Sequence, residues 1–137
     1  LADLTGRGDL VPPPDAPERP VFLRWLVFLV ANVYPTFTYA DDPARFVAVP
    51  AARDGFRAEI DAYAQRLYGV VETAAQAPNF LGARFSALDI YLAVMTHWRP
   101  SHAWFAENTP LVLGAALRAQ GLPALLPVVE RHFPKKG

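Results

Sequence analysis

Apolar positions recur every three or four residues along most of the chain, and no stretch alternates with a period of two. That spacing gathers apolar side chains on one face of a helix, so the pattern predicts an all-α protein. In the first long segment Phe22, Trp25, Leu26, Leu29, Val33 and Phe37 share a face, behind a possible D-x-x-E cap at Asp15 and Glu18. The second is the most regular, with Phe56, Ile60, Tyr63, Leu67, Val70 and Ala74 spaced by three or four. A third starts at Ser86 and carries Leu88, Tyr91, Leu92, Met95 and Trp98. After a short turn over residues 101–107, Thr109 is expected to cap a helix opened by Pro110, with Gly121 as its left-handed stop. Residues 122–133 read as a last helix, bent at Pro127. The sum is a bundle of five or six helices without an internal repeat.

The 14 prolines fit this reading because of where they stand. Pro12, Pro13, Pro14, Pro17 and Pro20 precede or open the first apolar pattern, and Pro43, Pro50, Pro78 and Pro100 fall between patterns. Pro110 and Pro123 sit where a helix begins, a position at which the missing N–H is unpaired anyway. Pro35 and Pro127 lie inside apolar patterns and are expected to kink or end their helices.

The most specific local signal is Phe85-Ser86-Ala87-Leu88-Asp89-Ile90. Ser86 and Asp89 have the spacing of a capping box, in which the hydroxyl accepts from the backbone three residues on and the carboxylate reaches back to the serine N–H. Phe85 and Ile90 stand at the positions of a hydrophobic staple. The hydroxyl and carboxylate could pass for catalytic groups, but no histidine or lysine is spaced to serve as a base, and the cap is the better reading.

Composition narrows the class further. A chain of 137 residues, 53% hydrophobic and 19% charged, suits one globular domain rather than a disordered one. Thirteen basic residues balance thirteen acidic ones with no basic stripe, which argues against nucleic-acid binding. The absence of cysteine excludes disulfides, thiolate metal sites and a cysteine nucleophile within the chain, and suits the cytoplasm. His97, His102 and His132 lack the spacing that pairs two ligands on one helix face, so no metal site is expected. His97 stands near the end of the third helix, where a protonated ring would meet the helix dipole favourably. The apolar run of residues 21–34 holds Arg24 and is short of the ~20 apolar residues that span a bilayer. Arg7-Gly8-Asp9 matches the integrin tripeptide, a weak signal in a linker.

At this level of detail the chain resembles the C-terminal helical domain of a cytosolic, bacterial-type glutathione S-transferase. The resemblance rests on Leu1-Ala2-Asp3-Leu4, similar to the end of the family's thioredoxin-like domain, and on the linker-like Leu10-Val11-Pro12-Pro13. Arg24-Trp25-Leu26 resembles the first helix of the helical domain, and Phe80-Leu81-Gly82 with the capping box resembles the family's buried turn and helix start. It implies that residues 1–16 are the trailing end of a missing thioredoxin-like domain plus linker, and residues 17–137 the helical domain. The resemblance further implies glutathione as co-substrate of the intact protein and an apolar electrophile as its partner in a transferase reaction. A homodimer is implied too, with no metal and no catalytic residue in this chain, which alone is expected to be inactive. Tyr34 and Phe37, near the end of the first helix, and Trp98 are the residues placed against the substrate. One departure stands out: where beta-type enzymes commonly carry a histidine-lysine pair, this chain has Tyr34-Pro35. A rival reading is a non-catalytic helical interaction module, since similar domains are attached to translation factors, synthetases and stress-response proteins.

Overall fold

The computed structural model describes residues 2–6 and 8–134. Leu1, which opens the predicted end of a preceding domain, and Arg7 of the Arg-Gly-Asp tripeptide lie outside the described residues. The described chain is all-α: α1 (Ala2–Thr5), α2 (Arg19–Asp41), α3 (Arg53–Ala74), α4 (Ala87–Met95), α5 (His102–Asn108), α6 (Pro110–Gln120) and α7 (Leu126–His132). It carries two isolated β-bridges, Asn79 with Gly82 and Leu81 with Arg84.

The face predicted for α2 is the one it buries: Phe22, Trp25, Leu29, Val33 and Phe37 all enter the core. Pro35 does not end this helix. Residues Leu29–Val33 widen into a π-turn, in which the Tyr34 N–H reaches back five residues to the Leu29 carbonyl. The helix then resumes over Tyr34–Asp41. A π-turn redistributes the carbonyls that a proline, lacking its N–H, leaves unserved. By length and composition alone α2 could cross a membrane, yet the same test passes a core helix, and this one has its apolar face in the bundle.

In α3 the buried face is rotated by one residue from the predicted one. Ala64, Leu67, Tyr68 and Val71 are buried, whereas Tyr63 and Val70 are exposed. The sequence offers two overlapping apolar stripes, and the core takes the one that includes Tyr68, whose ring meets Phe105 edge-on at 4.8 Å. The Tyr68 hydroxyl is buried without a hydrogen-bond partner among the described residues, and burial pushes its phenol well above the usual range.

Helix starts are where local expectation and tertiary structure differ most. Glu18 occupies the N-cap of α2 but makes no side-chain cap, its helix being opened instead by Pro20. The segment 101–107, expected as a turn, instead opens helix α5: Ser101 caps it by accepting from the Trp104 N–H at 3.3 Å. Thr109 makes no side-chain cap for α6; its hydroxyl points back to the Phe105 carbonyl at 3.4 Å. The capping acceptor is Glu72 of α3, which takes the N–H groups of Leu111 and Val112 at 2.9 Å each. A carboxylate at a helix N-terminus satisfies orphan donors and meets the positive end of the dipole. Gly121 is right-handed, with φ −81°, so it is not the left-handed stop expected of it. Residues 122–125 form turns, and α7 begins only at Leu126, with Pro127 in its first turn rather than at a bend.

The start of α4 is the most heavily bonded point of the fold. Asp89, with 0% exposure, accepts from the Phe80 N–H at 2.7 Å through one carboxylate oxygen. The other oxygen accepts from the Ser86 N–H at 2.8 Å and from the Ser86 hydroxyl at 3.2 Å. The Ser86 hydroxyl in turn accepts from the Leu88 N–H at 3.3 Å, closing a capping box. The next free amide, Ala87, donates to the Leu10 carbonyl in the segment before α2 at 2.8 Å. Gly82, at φ +75°, makes the turn that aims the Phe80 N–H at this cluster; a Cβ there would come within 2.7 Å of the Gln76 side-chain oxygen. Buried Asn79 braces the same turn, donating to the carbonyls of Gly82 at 3.1 Å and Ala83 at 3.3 Å.

The last helix is held differently. None of its residues is buried, and just beyond it Phe133 stacks face to face on His97, with ring centroids 3.9 Å apart. Burial, and secondarily the charge of His102, holds the His97 pKa below the usual histidine range, so the neutral ring prevails where the helix dipole alone favours a charged one.

Three measurements test this description. Asp89→Ala strands the Phe80 and Ser86 N–H groups and is expected to cost about 3 kcal/mol, read as a lowered denaturation midpoint. An unchanged midpoint contradicts the carboxylate's role. Tyr68→Phe removes an unpartnered buried hydroxyl while keeping the ring, so stability should hold or rise by about 1 kcal/mol; a clear loss would show that the hydroxyl is paired. Because His97 binds its proton less readily when folded, stability at this site is fully present above the unfolded histidine value, about 6.5, and falls as pH drops below it. Unfolding curves between neutral and mildly acid pH should therefore be less pH-dependent in His97→Gln than in the wild type.

Candidate functional site

Aromatic residues from two distant parts of the sequence meet at one side of the bundle. Tyr34 and Phe37 come from the last turns of α2, beyond the π-turn, and Trp98 follows the end of α4. Their ring centroids lie 6.2 Å (Tyr34 to Phe37), 6.0 Å (Tyr34 to Trp98) and 4.9 Å (Phe37 to Trp98) apart, all edge-on. Edge-to-face packing of this kind adds to simple burial, because the positive edge of one ring meets the negative face of the next. Phe37 is buried to 6% exposure, while Tyr34 at 43% and Trp98 at 40% keep faces free.

Tyr34 and Trp98 form the ridge between two cavities. On one side is a space of about 400 Å³ lined also by Phe37, Thr38, Asp41 and Arg99. On the other is a space of about 320 Å³ lined also by Ala87, Ile90, Tyr91, Val94 and Met95. The first contains an ion pair and the second contains no charged side chain. Together they make a cleft with a polar and an apolar half, the usual character of a small-molecule site.

Arg99 organises the polar half, and nothing in the local sequence marks it. Its Nη1 donates to Asp41 at the end of α2 at 2.7 Å, and its Nε lies 3.0 Å from the Asp61 carboxylate on α3. The Asp61 contact is an ion pair without hydrogen-bond alignment, since Nε has no hydrogen-bond partner. The guanidinium also stands 5.8 Å from the Phe37 ring centroid, a cation–π arrangement. Arg99 thus ties the end of α2 and the body of α3 to the segment that carries Trp98. The positive charge is spent on two carboxylates, so it is no free anion site.

Ser86 and Asp89 lie beneath the apolar half, fully buried, and their polar atoms are occupied by one another and by backbone amides. They set the direction in which α4 leaves the turn, and with it the position of Ile90, Tyr91 and Val94 on the cavity wall. Among the described residues there is no group of three histidine, cysteine or carboxylate side chains arranged to hold a metal ion. Tyr91 was missed as a wall residue because its place in the α4 pattern marks it only as part of an apolar stripe.

Comparison with known proteins gives one informative match. The chain is 38% identical over 133 residues, 96% of its length, to an uncharacterized GST-like protein, YncG, of Escherichia coli (strain K12). The match spans 64% of that relative's length. No family model matches the chain, and no solved structure matches it. The match covers nearly the whole of this all-α chain, which is consistent with a helical domain of the glutathione S-transferase C-terminal-like type.

Proposed function

We propose that this chain supplies the co-substrate half of the cleft in a glutathione S-transferase-like protein, with glutathione bound and its thiol activated by residues outside the chain. The observation that carries the reading is the Tyr34–Phe37–Trp98 cluster, three aromatics from two helix ends that converge on a divided cleft. An apolar electrophile would lie in the uncharged half against Tyr34 and Trp98. Its binding would come mainly from apolar area removed from water, about 25 cal/mol per Å². Among the described residues the ionic groups lining this cleft are Asp41 and Arg99, and they are paired with each other. The chemistry of conjugation is therefore assigned to the rest of the protein, acting in the cytoplasm.

Homodimer formation belongs to the same proposal. Leu23, Val27 and Val30 form an exposed apolar row on α2, at 42%, 61% and 47% exposure, on the side away from the core. A row of this kind on a helix with its other face buried supports a covered surface in the assembled protein. It equally supports the rival reading of a helical interaction module. The divided aromatic cleft, which an adaptor does not need, favours the enzyme.

The isolated chain should give no conjugation of glutathione with chlorodinitrobenzene above the uncatalysed rate. It should nevertheless bind a small fluorescent aryl probe, with Trp98→Ala weakening that binding at least about threefold through loss of aromatic contact. Enzyme-like turnover by the chain alone would overturn the division of labour. Probe binding indifferent to Trp98→Ala would overturn the cleft.

A further inference from the structure

A cavity of about 550 Å³ lies between the end of α4, the end of α6 and α7, and it shares no lining residue with either half of the cleft. Its walls are apolar: Leu117 of α6, Leu126 and Val129 of α7, and Phe133, whose ring lies flat on His97. Its polar groups carry negative charge or accept hydrogen bonds. Glu130 contributes a carboxylate, with which no cation among the described residues pairs. Gln120 uses its amide nitrogen on the Ala93 carbonyl at 2.9 Å and the Thr96 hydroxyl at 3.4 Å, which leaves its oxygen as an acceptor. Gly121, with no side chain, sets the C-terminal end of α6 in the same wall, and that end is the negative pole of the helix dipole. Arg118, in the last turn of α6, donates instead to the Pro78 carbonyl at 3.2 Å and is absent from the lining. His97 is held below the usual histidine range, by burial first and by the charge of His102 second, so it adds no positive charge at neutral pH.

We propose that this cavity between α4, α6 and α7 binds a lipophilic amine, an apolar body that carries a protonated amino group. The apolar body covers Leu117, Leu126, Val129 and Phe133 and removes them from water. The ammonium group has three donors and no acceptor, and it meets the Glu130 carboxylate, the Gln120 oxygen and the carbonyl end of α6. Other ligand classes fit less well. A carboxylate, sulfonate or phosphate would face a carboxylate and a negative helix end, with no lysine or arginine among the described lining residues to hold it. A neutral hydrocarbon gains the apolar walls and leaves the acceptors unused. Glu130 is exposed, so its pairing with the ligand is partly screened by water and weakens as salt rises. The site is independent of the cleft proposed above: its chemistry selects a cation, whereas the uncharged half of the cleft has no charged group to do so.

The test uses three probes that share a ring system and differ in charge: naphthylethylamine, propylnaphthalene and naphthylpropanoate. Each is titrated into the full chain at neutral pH and low salt. The amide resonances of Gln120 and Gly121 report binding at this cavity, and that of Tyr91 reports the cleft. At Gln120 and Gly121 the amine should bind about fivefold more tightly than the hydrocarbon, and the carboxylate more weakly than either. Glu130→Gln keeps the side chain's shape at an exposed position, so the fold should hold while the amine-to-hydrocarbon ratio falls about fivefold. Trp98→Ala should leave that ratio unchanged. Equal affinities of amine and hydrocarbon in the wild type, or a ratio unmoved by Glu130→Gln, would overturn the amine site. Shifts confined to Tyr91, or no shift at Gln120 and Gly121 with any probe, would overturn it as well, and neither result touches the cleft.

Discussion

The fold turns on one buried carboxylate. Asp89 gathers the amide of Phe80, from the turn that ends the long α3 connection, and the amide and hydroxyl of Ser86, at the start of α4. These are charge-assisted hydrogen bonds of 2.7 to 3.2 Å in a site without solvent, where each is stronger than its exposed counterpart and each unmet donor is costly. The neighbouring Ala87 amide is met by the Leu10 carbonyl, so the segment before α2 is clipped to the same point. Arg84 adds a second clip, donating to the Gly8 carbonyl at 2.6 Å. Together these bonds set the mutual geometry of the segment before α2, the turn and α4, with Asp89 at their centre.

The cleft inherits that geometry. The direction of α4 decides where Tyr91 stands and where Trp98 emerges, while the π-turn in α2 decides how Tyr34 and Phe37 face them. Arg99 then closes the arrangement from outside through Asp41 and Asp61. The polar network holds the helices together, and in the proposed function recognition would fall to the rings on the rim.

How much of this the sequence discloses depends on the range of the interaction. The Ser86–Asp89 box is legible because both partners lie within one helical turn, and the buried face of α2 because a single apolar stripe dominates it. The α3 face was misjudged because Tyr63 and Tyr68 belong to competing stripes, and only packing against Phe105 decides between them. Thr109 has the right residue type for a cap, but Glu72, 39 residues earlier than Leu111, outcompetes it with a full charge. Gly121 and Pro127 were given conformations their residue types permit but the chain does not adopt. Of the cleft, the aromatic members Tyr34, Phe37 and Trp98 could be named from the resemblance, whereas Arg99 depends on partners 58 and 38 residues away and leaves no local trace.

The most direct measurement is native-state hydrogen exchange at the amides of Phe80 and Ser86. Both lie outside regular helix, in a turn and at an N-cap, where amides ordinarily exchange quickly. If Asp89 anchors the fold, the two should exchange only with global unfolding, as slowly as the core amides of α4. Exchange at the rate of neighbouring loop amides, with the rest of the bundle protected, would contradict the account.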